Sequence, residues 1–313
     1  MNSFQTALSA VLPMFVMLGL GIGVRKIGLA DKHTLGQLNK LCFRCFLAVN
    51  VYYNICKVNI AEVFNARLLI YAIATQFVIL AIAVLAGMVT EKSKKRRGAL
   101  AQGIFHTNFV IFGTLIGTAL CGEGNIGAIS LLIAILVPVQ NVLSVILLEL
   151  CREGGKLNIR SMAMGVIKNP FVIAAVLGFL TQLVGFQYPS VLGNILRDLG
   201  RCATPIALIV MGGLFNFGSI RDNLKPVIVG VLFRLIVVPA VLILITIQLG
   251  FRGAEFIALM SFFIAPCATS SFNLAIEMDS DADLAAQLVV FTSLCSLFTI
   301  FLWIFVLSNF GIF

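Results

Sequence analysis

The sequence predicts an all-α polytopic membrane protein. Three observations carry that prediction: a scarcity of charge, ten apolar runs of spanning length, and basic residues gathered between the runs. Of the 313 residues, 60% are hydrophobic and 11% charged, with a mean hydropathy of +1.07. A soluble domain carries about 25% charged residues. This chain lacks the polar surface that water requires, and the bilayer is the solvent that fits.

A spanning helix needs about 20 largely apolar residues. The runs fall at 5–24, 34–56, 67–90, 99–121, 126–149, 167–186, 190–217, 224–249, 254–277 and 284–309. The first follows Met1-Asn2-Ser3-Phe4-Gln5, which has no positive n-region, so it reads as a span and not a cleaved leader. The second carries Lys40 and Arg44 and is the most polar. The fourth and ninth turn polar at mid-depth, the fifth holds Pro138, and the seventh holds Arg197, Arg201 and Thr204-Pro205. The eighth carries Arg234. No connection is long enough to form a soluble domain.

Lys and Arg set the orientation. With the N-terminus outside, the inward connections hold fourteen: Arg25, Lys26, Lys32, Lys92, Lys94, Lys95, Arg96, Arg97, Arg152, Lys156, Arg160, Lys168, Arg221 and Lys225. The outward connections hold three: Lys57, Arg67 and Arg252. Both termini are therefore expected outside the cytoplasmic membrane. The net charge of +9 sits in short runs such as Glu91–Arg97, with no basic stripe interleaved with aromatics, so nucleic acid is excluded as a partner. The eight cysteines lie mostly inside apolar runs. Cys42 and Cys45 have CxxC spacing but stand on a membrane helix, where small packing residues are expected. No metal or cofactor is predicted.

Shifting the chain by 157 residues lays runs one to five on runs six to ten without a gap. Pro13 falls on Pro170, Leu35-Gly36 on Leu192-Gly193, Lys40 on Arg197, and Arg44-Cys45 on Arg201-Cys202. The predicted organisation is a first five-helix repeat over 1–150, a short cytoplasmic linker over 151–166, and a second repeat over 167–313. Five spans are an odd number, so the second repeat enters from the opposite side. Inverted repeats of this kind mark secondary transporters, whose sites lie near the midplane at discontinuous helices. The broken ends offer free N–H groups and partial positive charge to an anion.

Runs four and nine are the expected breaks, equivalent under the shift. Run four offers Thr107, Asn108 and Gly113; run nine offers Pro266, which cannot donate within a helix, with Ser270 and Ser271. Asn50 and Asn54 in run two, Gln140 and Asn141 after Pro138 in run five, and Thr204-Pro205 in run seven are candidates for the same cavity. Ordinary interhelical hydrogen bonding is the competing reading for each. Five basic residues fall inside runs: Lys40, Arg44, Arg197, Arg201 and Arg234. Lys40 and Arg197 are near inner ends and can snorkel. Arg44 and Arg201 lie about a turn deeper and are candidates to attract or gate an anion from the cytoplasm. Asp198 is a candidate ion-pair partner for Arg201.

These residues resemble the auxin efflux carrier family, including its bacterial members, over nearly the whole chain. The resemblance is carried by Phe43-Arg44-Cys45-Phe46-Leu47-Ala48 with Tyr52-Tyr53-Asn54-Ile55, by Asn108 through Gly113, and by Asn141-Val142-Leu143-Ser144-Val145. Lys168-Asn169-Pro170, Leu199-Gly200-Arg201-Cys202-Ala203-Thr204-Pro205 and Ala265-Pro266 add to it. It implies ten transmembrane helices as two inverted five-helix repeats with crossed, broken helices 4 and 9, bile-acid-symporter-like or NhaA-like. Each half contributes to a scaffold and to a transport domain. It also implies movement of carboxylates such as malonate, malate or an auxin-like acid, and gives Asn108 and Pro266 the crossover role. Ala48 stands where the family usually has Pro, and Thr114-Leu115 replaces a common Pro-containing turn. A milder or displaced break in helix 4 is therefore expected.

The expected function is a secondary transporter moving a small organic anion by alternating access. An anion channel on the same fold is one alternative. An intramembrane enzyme is another, because Asp279, Asp281 and Asp283 are spaced as aspartates that can hold Mg²⁺. The chain lacks HExxH, GxSxG and Walker A motifs. H⁺ or Na⁺ coupling stays open, with His106 the only titratable candidate near mid-depth. A homodimer also stays open; Gly113-x-x-x-Gly117 has helix-packing spacing, which in run four points to packing within the chain.

Overall fold

The computed structural model describes residues 3–56, 64–122, 127–153, 163–164, 166–185, 188–310 and 312. Lys57, Lys156, Arg160 and most of the 151–166 linker lie outside the described residues. What is described is helical, joined by turns. Helix α1 is Ser3–Lys26. Helix α2, Lys32–Leu41, passes through a π-helical turn at Cys42–Leu47 into α3, Ala48–Cys56. Then follow α4 (Ala66–Thr90), α5 (Lys94–Phe105), α6 (Phe109–Cys121) and α7 (Gly127–Leu150). Next are α8 (Pro170–Leu183), α9 (Ser190–Leu214) and α10 (Leu224–Leu232). A second π-helical turn, Phe233–Val237, leads into α11, Val238–Gln248. The chain ends with α12 (Gly253–Ile264), α13 (Ser270–Glu277) and α14 (Ala282–Asn309).

Local chemistry starts these helices where they start. The Asp31 carboxylate accepts from the Thr34 amide at 2.8 Å to cap α2, and Asn65 accepts from Leu68 N at 3.0 Å to cap α4. Asn169 caps α8 through Phe171 N at 2.9 Å, with Pro170 in the first turn, where no N–H is needed. Asp281 caps α14 through Leu284 N at 2.9 Å.

Four stretches are long and apolar enough to cross a membrane by length and composition: Ala66–Thr90, Gly127–Leu150, Leu224–Gln248 and Ala282–Asn309. Helix α4 is apolar all round, yet only 39% of its most apolar window is buried. Ile70, Phe77, Leu85 and Val89 stand exposed along it. A helix that offers apolar side chains outward on this scale belongs in lipid.

The helices pack in two groups. In one, α1 lies along α9, and α9 and α8 pack on α2 and α3. In the other, α4 lies along α5, α6 against α12, and α14 against α5, α10 and α13. The crossing of α1 and α9 is made by glycine: a Cβ on Gly21 would stand 2.0 Å from the Ile209 carbonyl, and one on Gly212 would stand 2.1 Å from the Leu18 carbonyl. The main apolar core fills the second group and extends to Met14 and Leu18 of α1 and to Leu208 and Met211 of α9. Helix α1 also packs across the division against α14 and α6, and polar links join the groups as well. Asn273 of α13 donates to Asn39 of α2, and Asn39 donates to Glu277 at 3.4 Å.

Candidate functional site

The helical run from Lys94 to Cys121 opens at residues 106–108, and the run from Gly253 to Glu277 opens at 265–269. Pro266 explains the second opening, since it has no N–H to give and its ring clashes one turn back. The two openings cross. Thr107 and Cys267 pair as an antiparallel β-bridge, with Asn108 N donating to Pro266 O at 2.8 Å and Ala268 N donating to His106 O at 2.9 Å. The backbone groups freed by one break thus satisfy those freed by the other, as a membrane interior demands. The break in run four is the shorter of the two, three residues against five, and with no local proline its unwound backbone is bonded by the second strand.

Around the bridge several polar groups are held in place. Gln140 Nε2 of α7 donates to Phe105 O at 3.2 Å at the end of α5, and the Gln140 amide lies 3.4 Å from Thr107 Oγ1. Cys267 N donates to Thr292 Oγ1 of α14 at 3.1 Å. His106 Nδ1 and Ser271 Oγ are hydrogen-bonded at 3.1 Å. Arg234, at 0% exposure, donates to Ala265 O, Ile104 O, Phe262 O and Phe263 O.

A cavity of about 90 Å³ lies on the side where α6 and α13 begin. From the first group it is lined by Leu47, Asn50, Val51, Phe171 and Thr204; from the second by His106, Thr107, Asn108, Val110, Ile111, Val137 and Asn141, with Ala268, Thr269 and Ser270. It therefore lies between the two packing groups. Of the residues singled out in the sequence, Asn108, Thr107, Ser270, Asn50, Asn141 and Thr204 line it together. Asn108 Nδ2 is buried and has no partner. Asn50 donates to Gly200 O at 3.0 Å and accepts from Asn54 at 2.8 Å, so Asn54 stands behind it, bracing α3 against α9. Gln140 and Ser271 sit one layer back, holding Thr107 and His106. Pro266 contributes its carbonyl to the bridge. Gly113 faces the Phe109 ring: a Cβ there would stand 2.4 Å from it, so this glycine makes room within its own helix.

Arg44 and Arg201 are exposed and outside the cavity lining. The expected Asp198–Arg201 pair is not formed; Asp198 pairs instead with its exposed neighbour Arg197 at 3.3 Å.

Over residues 6–304 the chain matches the family described as "Membrane transport protein", the auxin efflux carrier family. The chain belongs to that family. A stretch of 138 residues is 30% identical to an uncharacterized transporter of Methanothermobacter thermautotrophicus (strain Delta H). That stretch covers 44% of this chain and 45% of the relative, so the match spans less than half of the relative's length. Family membership and the long apolar helices together make this a multi-pass membrane protein.

The acidic loop of this transport-family member finds its partners across the fold. Asp279 pairs with Lys95 at 2.8 Å, Asp281 with Arg96 at 3.4 Å, and Asp283 accepts from Asn216 at 2.8 Å. Arg96 also pairs with Glu91 at 2.7 Å, a hydrogen bond that raises its already high pKa. The Lys95 hydrogen bond holds the Asp279 carboxyl below its ordinary range. The aspartates are thus bound to the basic run that opens α5 and to the start of α14, and are not gathered around a common centre. Among the described residues no three His, Cys, Asp or Glu side chains are grouped to hold a metal ion.

Proposed function

We propose that this protein is a secondary transporter that moves a small organic anion across the cytoplasmic membrane by alternating access, with both termini outside. The observation that carries the reading is the cavity at the crossover, where α6 and α13 begin beside the unpartnered amide of Asn108. The first amides of α6, on Phe109, Val110 and Ile111, have no carbonyl one turn back within that helix. Each helix start carries about +0.5 of an elementary charge. Two of them beside a neutral lining of mixed polar and apolar side chains form a site for a carboxylate that needs no formal cation in its wall. Malonate, malate and auxin-like acids share that chemistry. The cavity, about 90 Å³, favours the shortest of these.

Alternating access needs two bodies that move against each other with the site between them, and the two packing groups supply that division. The inverted repeat is supported by the helix bounds. Advanced by 157 residues, Lys32, Ala66 and Gly127 fall within two residues of the starts of α9, α10 and α14. The two breaks lie near each other under the same shift, the second offset by about two to four residues toward the C-terminus. Arg44 and Arg201, outside the cavity, fit a role in drawing an anion toward its cytoplasmic approach, a field effect that does not require contact.

The test is reconstitution in liposomes on a solid-supported membrane, with currents recorded for malonate, malate and indole-acetate, with and without pH and Na⁺ gradients. A carrier gives saturable currents and is stimulated by substrate on the far side. A flux that never saturates would assign a channel, and a folded protein that neither binds nor moves any carboxylate would end the anion reading.

A further inference from the structure

The crossover has a second face. Behind the cavity, α5 and α12 end where α6 and α13 begin, and their last carbonyls have no partner within the helix. Arg234 fills that place. It projects from the π-helical turn between α10 and α11, the kind of local irregularity that recurs where a side chain must be re-aimed for function. Nε donates to Ala265 O at 2.7 Å, Nη1 to Ile104 O at 3.1 Å, and Nη2 to Phe262 O at 3.0 Å and Phe263 O at 2.8 Å. No carboxylate pairs with it among the described residues. A full positive charge is therefore held at the centre of the fold by carbonyl oxygens alone.

Filling four carbonyls does not require a charge, since neutral amides donate as well. An ion taken out of water carries a desolvation cost that an amide avoids. What the charge adds is a match to the field: both half-helices present the negative ends of their dipoles there. We infer that Arg234 is a covalently tethered counter-cation of the crossover, a positioning residue that neutralises the C-terminal ends of α5 and α12. The N-terminal ends of α6 and α13 are thereby left as the net field in the cavity. The oxygen cage it occupies is of the type that coordinates a free cation, and its guanidinium makes such an ion unnecessary. The inference rests on the anion-carrier reading for its functional part only.

Two variants separate charge from hydrogen bonding. Arg234→Gln keeps amide donors for the carbonyls and removes the charge; Arg234→Ala empties the cage. Thermal melts of the purified protein are run in guanidinium, sodium and choline chloride at equal ionic strength. Guanidinium is expected to raise the melting temperature of Arg234→Ala selectively and to leave that of the unaltered protein in line with the other salts. In proteoliposomes, Arg234→Gln is expected to raise the KM for the transported carboxylate by about tenfold or more, the scale of one charge-assisted interaction. Arg234→Lys is expected to recover part of that loss, and the unaltered protein should have the same KM in Na⁺ and in choline.

An Arg234→Gln variant with unaltered KM would overturn the inference, leaving Arg234 as a hydrogen-bonding clamp. So would an unaltered protein whose affinity requires Na⁺, or an emptied cage indifferent to guanidinium. The melts need no substrate, so they decide the cage's cation preference even if no carboxylate is transported, an outcome that would count against the carrier reading instead.

Discussion

Asn108→Asp is the substitution that should hurt most while changing the shape least. The Asn108 backbone is fixed by the crossover: its N–H donates to Pro266 O at 2.8 Å and its carbonyl accepts from Phe112 N at 3.1 Å. Its side-chain Nδ2 is buried without a partner beside the cavity. Aspartate replaces that donor with an anionic oxygen. Losing a hydrogen bond to a charged ligand costs about 1.5–3 kcal/mol. Placing a like charge about 4 Å from the ligand at an effective dielectric of about 20 adds about 4 kcal/mol. Asn108→Ala incurs only the first loss, about ten- to a hundredfold in affinity, while Asn108→Asp incurs both, about ten-thousand- to hundred-thousandfold. The assay is KM for the transported carboxylate in proteoliposomes, with melts to establish that each variant is folded. The reasoning is refuted if both variants stay within about threefold of the unaltered protein, or if the aspartate variant binds the anion more tightly than the alanine variant.

Three further outcomes follow from the same structure. Gly21→Ala drives a methyl group to 2.0 Å from a backbone carbonyl, and overpacking on that scale costs about 1–3 kcal/mol or more; its melting temperature should fall, while Gly19→Ala, with nothing within 4 Å, should leave it unchanged. Asp279 titrates below its ordinary value because Lys95 bonds its charged form, so its stabilising contribution is complete above about pH 4 and is lost as pH falls through the lowered value; melts of the unaltered protein and of Asp279→Asn should converge in that acid range. Replacing both Arg44 and Arg201 by Gln should slow uptake at low ionic strength and lose that effect in high salt, with saturation affinity unchanged.

The sequence exposed the breaks because each leaves a local mark, a proline in one and a polar pair in the other, although the second strand holds the run-four break open. Pro266 and the Thr107-Asn108 pair are visible in an apolar run without knowledge of any neighbour, and Asn108, Thr107, Ser270, Asn50 and Asn141 do meet at one cavity. What local pattern cannot supply is direction. Ser271 follows Ser270, yet one residue is about 100° around a helix, and its hydroxyl turns to His106. Asn54 lies a turn beyond Asn50 and braces it instead of reaching the cavity. Gly113 reads like a break in composition but answers to the Phe109 ring. Arg234 is the clearest case. A buried arginine in an apolar run announces importance, but its partners lie as far as 130 positions away in sequence, at helix ends that exist only once both breaks have formed.

The crossover can be understood as an accounting of backbone polarity in a medium that offers none. Two broken helices expose four ends. The two strands of the break satisfy one another through the bridge, with Gln140 and Thr292 supplying the donor and acceptor that the bridge leaves over. The carbonyl ends of α5 and α12 are satisfied by Arg234. At α13 the Ser271 amide is taken up by Ala268 O at 3.0 Å, but at α6 Asn108, placed to cap the helix, makes no side-chain cap bond, and its amide adds a donor. At the cavity itself, the first amides of α6 and the Asn108 Nδ2 are donors, all of one sign. A water molecule can meet part of that demand, but an anion with two oxygens meets it better, because it answers both the hydrogen-bonding deficit and the field. The asymmetry between carbonyl ends closed by a tethered cation and an α6 amide end left open is the physical basis for expecting an anion here.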